Sequence, residues 1–221
     1  MNKDVIDIYY DHYKETYSIS KEAQAHRNKC YILLCVLEAL LFLLLINPDF
    51  IVHVINKGVR SQFNIALNIG TGIIQTLLWI IIAYVFVRYC QDMMYVEKQY
   101  PYLEKLEQRI SEELSEDIFS REGIHYSTDY PIVSNLIDLF YKMVSPILFQ
   151  VINVYYIISE WNTIETTTFK LLIDTLIFGS IFIINWFYFF QIHSKMSDWF
   201  KTHIPVIDKI SRFLHKIMKE V

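Results

Sequence analysis

The residues of this sequence best placed for chemistry are polar side chains set inside apolar runs. Glu38 interrupts the Leu-rich run YILLCVLEALLFLLLIN (31–47), and Asn64, Asn68, Thr71 and Gln75 punctuate FNIALNIGTGIIQTLLWIIIAYVFV (63–87). On one helix those four residues fall at i, i+4, i+7 and i+11, a single face. An acidic residue at the centre of a bilayer costs roughly 2.5–3.5 kcal/mol on insertion scales, and an unpaired amide there is also penalised. Such groups must therefore meet protein or water. Two readings follow: hydrogen bonds that join helices, with Glu38 meeting Asn68 or Gln75, or a water-lined path on which Glu38 attracts cations or carries protons. The path is the leading expectation, because the polar groups stack along much of the run. Gln150, Asn153, Asp174 and Asn185 add polarity to later runs, and Glu160 and Glu165 would make an acidic outer mouth, diluted by Lys57, Arg60 and Lys170.

The elements that would position these groups are membrane spans. The chain has 221 residues, 53% of them hydrophobic and 20% charged, and the charges gather at the two ends and in the middle. Four apolar runs remain, at 31–47, 63–87, 143–159 and 169–192. A helix needs about 20 residues to cross the hydrocarbon core, so the first and third must extend into flanking residues. The runs lack strand alternation, which excludes a barrel, and the first begins too late for a cleaved signal peptide. The fold class expected is an all-α integral membrane protein: four transmembrane helices, a cytoplasmic helical connector and a C-terminal amphipathic helix. Of 20 Lys and Arg, all but Lys57, Arg60 and Lys170 lie before the first run, in the middle segment or in the tail. By the positive-inside rule both termini and the middle segment face the cytoplasm of a multi-pass plasma (inner) membrane protein.

The expected organisation is a cytoplasmic amphipathic helix at 1–29, two spans within 30–87, a cytoplasmic connector at 88–142, two spans within 143–192, and a cytoplasmic helix at 193–221. In the first segment Ile6, Tyr10, Tyr13 and Tyr17 form a helical stripe. The connector is expected to extend the second span, break at Pro101, resume as a charged helix with Leu103, Leu106, Ile110 and Leu114 on one face, and end in the turn-rich FSREGIHYSTDYPIVS. Phe200, Ile207, Ile210, Leu214, Ile217 and Val221 give the tail an apolar stripe that suits packing on the protein's own helices, a short bundle seam or anionic lipid.

Enzymatic signatures are missing. Seven His are scattered without HExxH or comparable metal spacing, and there is no Walker A loop or GxSxG elbow, so neither an enzyme, a metal nor a cofactor is expected. Cys30, Cys35 and Cys90 show no CxxC spacing and read as packing residues. Gly70 and Ala66 suit close helix packing. The net charge of −4 argues against general nucleic-acid binding.

The connector residues Arg121, Glu122, Gly123, Tyr126 and Asp129-Tyr130-Pro131, placed between two pairs of spans, resemble a group of small bacterial membrane proteins. The plan also resembles transmembrane effectors of bacterial antiphage defence, such as the Hailong-type effector that pairs with a nucleotidyltransferase. That resemblance implies an oligomeric ion channel controlled by a nucleotide-derived ligand, causing depolarisation and growth arrest, with a nucleotidyltransferase as partner. From the residues themselves, four spans are too few to enclose a hydrated pore, so a channel requires a homo-oligomer. Lys98, Lys105, Arg109, Arg121, His125 and Tyr126 are the expected contacts for an anionic nucleotide or short oligonucleotide, because Arg suits phosphate and Tyr stacks on bases. The alternative is a non-conducting membrane scaffold or subunit whose polar stripe only joins helices.

Overall fold

A computed structural model describes residues 3–64, 70–114, 132–163 and 169–192. It is all-helical: α1 (Lys3–Ile46), α2 (Pro48–Phe63), α3 (Thr71–Leu114), α4 (Ile132–Leu139), a π-helical turn (Phe140–Val144), α5 (Ser145–Thr163) and α6 (Phe169–Ile192). Four helices are long and apolar enough to cross a membrane, within Ile6–Ile46, Thr71–Leu114, Leu136–Asn162 and Phe169–Gln191. They form a ring in which α1 packs on α3, α3 on α6, α6 on α5 and α5 on α1. Of the turn-rich stretch expected at 119–134, residues 119–131 lie outside the described residues and 132–134 begin α4 instead, and the tail helix expected from 193 also lies outside them.

Two helices are longer than the spans they contain. α1 and α3 have 44 residues each, about 66 Å at helical rise against about 30 Å of hydrocarbon. The amphipathic segment expected at 1–29 is therefore one helix with the first span. Its inward face is Tyr13, Thr16 and Ser20, continuing through Leu34, Leu37, Leu41 and Leu44, whereas Tyr10 and Tyr17 are exposed beside Lys14 and Lys21. Tyr13 joins Leu103, Leu106 and Ile110 in a separate apolar cluster, so the two helices stay paired along their extensions.

That pairing corrects the expected break at Pro101. The proline lies inside α3, where it removes one backbone hydrogen bond and crowds the preceding turn. Contacts on either side hold the helix to α1. Tyr13 Oη donates to Glu107 Oε1 at 3.1 Å, His12 Nε2 lies 2.7 Å from Tyr102 Oη, and Gln24 Nε2 donates to Tyr100 Oη at 3.4 Å. The segment between the first two spans is also helical. Asn47 caps α2 by accepting from Phe50 N at 3.2 Å, Pro48 occupies its first turn, and Asn64 ends it in the left-handed region at φ 54°. Proline at the start and a left-handed Asn at the end are the usual boundaries of a short helix.

Pro146 shapes the third span. Having no N–H, it leaves the carbonyl of Lys142, four residues earlier, without an intrahelical donor. Ser145 N donates to Phe140 O, closing the π turn and depriving Tyr141 O of its own partner. Both orphans are met from neighbouring helices. Tyr89 Oη of α3 donates to Tyr141 O at 2.6 Å, and Tyr188 Oη of α6 donates to Lys142 O at 3.1 Å. Both tyrosines are almost wholly buried, in one core with Trp79, Phe86, Leu34 and Ile181. The irregular backbone thus fixes where α3 and α6 dock. Tyr188→Phe is expected to cost ~0.5–2 kcal/mol, the range for one interhelical hydrogen bond. Thermal unfolding in detergent reads this, and the cost should shrink in a Pro146→Ala background, where a backbone N–H becomes available for Lys142 O.

Candidate functional site

The residues expected to share one pore-lining face do not share one helix. Asn64 is the exposed left-handed cap of α2, whereas α3 begins at Thr71. Asn68 and Ala66 lie outside the described residues. The capping geometry of Asn47 and Asn64 makes a separate helix where a continuous apolar reading joined Asn64 to the span. Thr71 is half-buried at the start of α3, and Gln75 faces the inside of the protomer at 8% exposure. The outward face of α3 is instead Ile73, Leu77, Ile80, Ile81 and Tyr84. Among the described residues nothing lies within 4 Å of where a Cβ on Gly70 would stand, whereas a Cβ on Gly72 would stand 3.1 Å from Lys170 Cδ. Of the cysteines, Cys30 and Cys90 are buried, while Cys35 is exposed on α1.

Polar groups converge within the ring. Glu38, 3% exposed and two turns before the end of α1, accepts from Asn153 Nδ2 of α5 at 3.0 Å, and the expected partner Asn68 lies outside the described residues. One turn away on α5, Gln150 Oε1 accepts from Asn185 Nδ2 of α6 at 3.1 Å, and the same amide lies 3.2 Å from Pro146 O. Gln150, Asn153 and Glu160 fall at i, i+3 and i+10 on α5, and Asp174 and Asn185 at i and i+11 on α6, which places each set on an inward face. Those intervals were present in the sequence, but no interval there pairs Glu38 with Asn153 across 115 residues.

Charged groups close the two ends of this chain. At one end Lys170 pairs with Glu160 and lies 3.0 Å from Asp174 Oδ2, with Asp174 fully buried. Lys170 therefore does not dilute an exposed acidic mouth. It sits between two buried carboxylates, with its stem in the space that Gly72 leaves. At the other end Lys142 pairs with Glu97 at 2.6 Å and Asp138 at 2.5 Å. From Lys142 to Glu160 the helical rise amounts to about 27 Å, close to the thickness of the hydrocarbon core.

Several buried atoms of the chain have no hydrogen-bond partner among the described residues: Glu38 Oε2, Asn153 Oδ1, Gln150 Nε2, Asn185 Oδ1, Glu160 Oε2 and Asp174 Oδ1. Buried polar atoms are normally satisfied, so these positions suit water or a transferred proton.

Of the expected ligand contacts, Lys98, Lys105 and Arg109 are exposed on the α3 extension, where intervals of seven and four residues put them along one edge. Arg121, His125 and Tyr126 lie outside the described residues. Comparisons with protein-family models, curated proteins and solved structures found no match.

Lys170→Met would leave the Glu160 and Asp174 carboxylates facing each other without a cation. It is expected to destabilise the protein by about 3 kcal/mol, as removal of one partner from a buried ion pair does. Adding Glu160→Gln and Asp174→Asn should recover most of that loss in the same unfolding measurement.

Proposed function

We propose that the protein is a homo-oligomeric membrane ion channel in which protons pass along the Glu38 chain of each protomer. The observation that carries this reading is Glu38 itself: a buried mid-span carboxyl with one oxygen held by Asn153 and the other unpartnered among the described residues. Intramembrane carboxyls that face the protein interior commonly mark ion and proton pathways. The alignment of Gln150, Asn153, Glu160, Asp174 and Asn185 supports a route with polar stations on both sides of Glu38. Apolar outward faces, including Val36, Leu77, Tyr155 and Trp186, suit lipid and neighbouring copies. Under this proposal both termini face the cytoplasm of the plasma membrane, and Lys98, Lys105 and Arg109 on the α3 extension, together with the connector residues Arg121, His125 and Tyr126, receive an anionic nucleotide or short oligonucleotide. The resemblance to defence effectors adds the consequence: opening depolarises the cell in antiviral defence, downstream of a nucleotidyltransferase that supplies the ligand.

A second reading is a non-conducting scaffold. It is favoured by the fact that the Glu38–Asn153 and Gln150–Asn185 hydrogen bonds each join two helices.

Proteoliposomes containing a pH-sensitive dye separate the two. Glu38→Gln keeps a hydrogen-bonding side chain but removes the titratable group, and proton flux is expected to fall by an order of magnitude with oligomer size unchanged. Equal flux in wild type and variant would eliminate Glu38 as a station, and no flux from wild type with or without nucleotides would favour the scaffold. Orientation has its own check. Reporter fusions at Met1, Ser111 and Val221 should report cytoplasm and those at Asn56 and Thr166 the outside; a cytoplasmic report at Thr166 overturns it.

A further inference from the structure

Where the α1–α3 pair leaves the four-helix ring, three side chains outside the Glu38 chain come together. His26 and Cys30 are one turn apart on α1, and Asp92 faces them from α3. His26 Nδ1 lies 2.5 Å from Asp92 Oδ2 and 3.7 Å from Cys30 Sγ. The nitrogen, sulfur and carboxylate ligand atoms all fall within 4.8 Å of one another. We propose that His26, Cys30 and Asp92 form a binding site for a borderline divalent transition metal, Zn²⁺ foremost, that clamps α1 to α3.

The geometry fits such an ion with little rearrangement. Zinc binds His nitrogen at about 2.0–2.1 Å and Cys sulfur at about 2.3 Å, and with tetrahedral angles this sets N and S roughly 3.6 Å apart. The observed 3.7 Å already meets that requirement. The His26–Asp92 distance is shorter than two ligands of one ion need, about 3.3 Å on the same reasoning. Rotation of the Asp92 carboxylate supplies the difference, as the ion replaces the hydrogen bond. The donor set selects the metal. A thiolate and an imidazole are poor ligands for Mg²⁺ or Ca²⁺, which take oxygen, while sulfur, nitrogen and one carboxylate together suit Zn²⁺.

Charge and access agree. A thiolate and a carboxylate neutralise a divalent ion, and neighbouring cations are engaged elsewhere. Arg27 donates to Met93 Sδ and Asn28 Oδ1 and lies over the Tyr141 ring, and Arg88 donates to Gln91. Cys30 is buried at 8% exposure, whereas the His26 side chain is half-exposed, giving the ion a way in and a fourth position for water. Two ligands from one helix and one from another make the site depend on α1–α3 pairing. The inference is independent of conduction along the Glu38 chain.

Cobalt tests it on the full chain, purified in detergent after treatment with a chelator. Co²⁺ is expected to give a thiolate-to-metal charge-transfer absorption that saturates at one ion per chain and is abolished by Zn²⁺. Cys30→Ser should remove that absorption, and Cys90→Ser should leave it. Asp92→Asn should weaken Co²⁺ binding by ~10-fold or more, since even outer ligand-orienting groups are worth that much. Absence of the absorption in wild type at excess Co²⁺, or its persistence in Cys30→Ser, overturns the proposal. Should Cys30→Ser aggregate on gel filtration, Asp92→Asn decides: affinity within twofold of wild type overturns the site.

Discussion

A carboxyl group halfway along a Leu-rich span must be held by protein or water, and Asn153 holds Glu38. That contact turns Glu38 inward and brings α5 against α1. Because Asn153 shares its helix face with Gln150, the same docking presents Gln150 to Asn185 on α6. Pro146 works in the same direction. By withholding an N–H it exposes a carbonyl that only a neighbouring helix can satisfy, and Tyr188 does so. Among helices whose apolar side chains are as well served by lipid as by each other, these polar obligations supply much of the specificity of packing.

The α1–α3 pair extends that constraint beyond the membrane. α1 is continuous from the Tyr13–Glu107 hydrogen bond to Glu38, and α3 is continuous from Gln75 to the exposed edge carrying Lys98, Lys105 and Arg109. A ligand on that edge would act on a helix that also lines the ring. It would shift a conducting equilibrium only by the difference between its affinities for the two states. The proposed ligand control thus has a mechanical route, two long helices held together by the Tyr13 cluster and crossed by His26, Cys30 and Asp92.

Much of this architecture was legible in the sequence, for definite reasons. Largely apolar runs mark the four helices able to cross a membrane, because hydrocarbon leaves few alternatives. Spacing also placed Leu103, Leu106 and Ile110 on one face. Periodicity puts Asn64 and Gln75 on one stripe because it assumes one uninterrupted helix, and the left-handed cap at Asn64 interrupts that helix. Pro101 suggested a break because local rules do not include the tertiary contacts of Tyr100, Tyr102 and Glu107 with α1. His26 and Cys30 stand at helical spacing, but Asp92 lies 66 residues from His26 and only folding shows that it completes the group. The pairing of Asn153 with Glu38 is likewise set only by folding. Periodicity shows which residues share a face, but not which face of another helix they meet.

The interior chain also bears on whether polarity in these spans joins helices or carries ions. A side chain whose only task is to join helices does best with all its donors and acceptors paired, because each spare buried atom costs free energy. A side chain on a path must keep an atom available for the moving species. Here both features occur in the same residues. Glu38 Oε1 and Asn153 Nδ2 are bonded to each other, while Glu38 Oε2 and Asn153 Oδ1 have no partner among the described residues. Gln150 and Asn185 repeat the division, with Oε1 and Nδ2 engaged and Nε2 and Oδ1 unpartnered. Asp174 Oδ1 extends the unpartnered series towards Lys170. The engaged atoms already join α1 to α5 and α5 to α6. The spare atoms from Gln150 and Asn185 to Glu160 and Asp174 follow about 15 Å of helical rise, roughly half of the hydrocarbon core, and the proposed relay would use them.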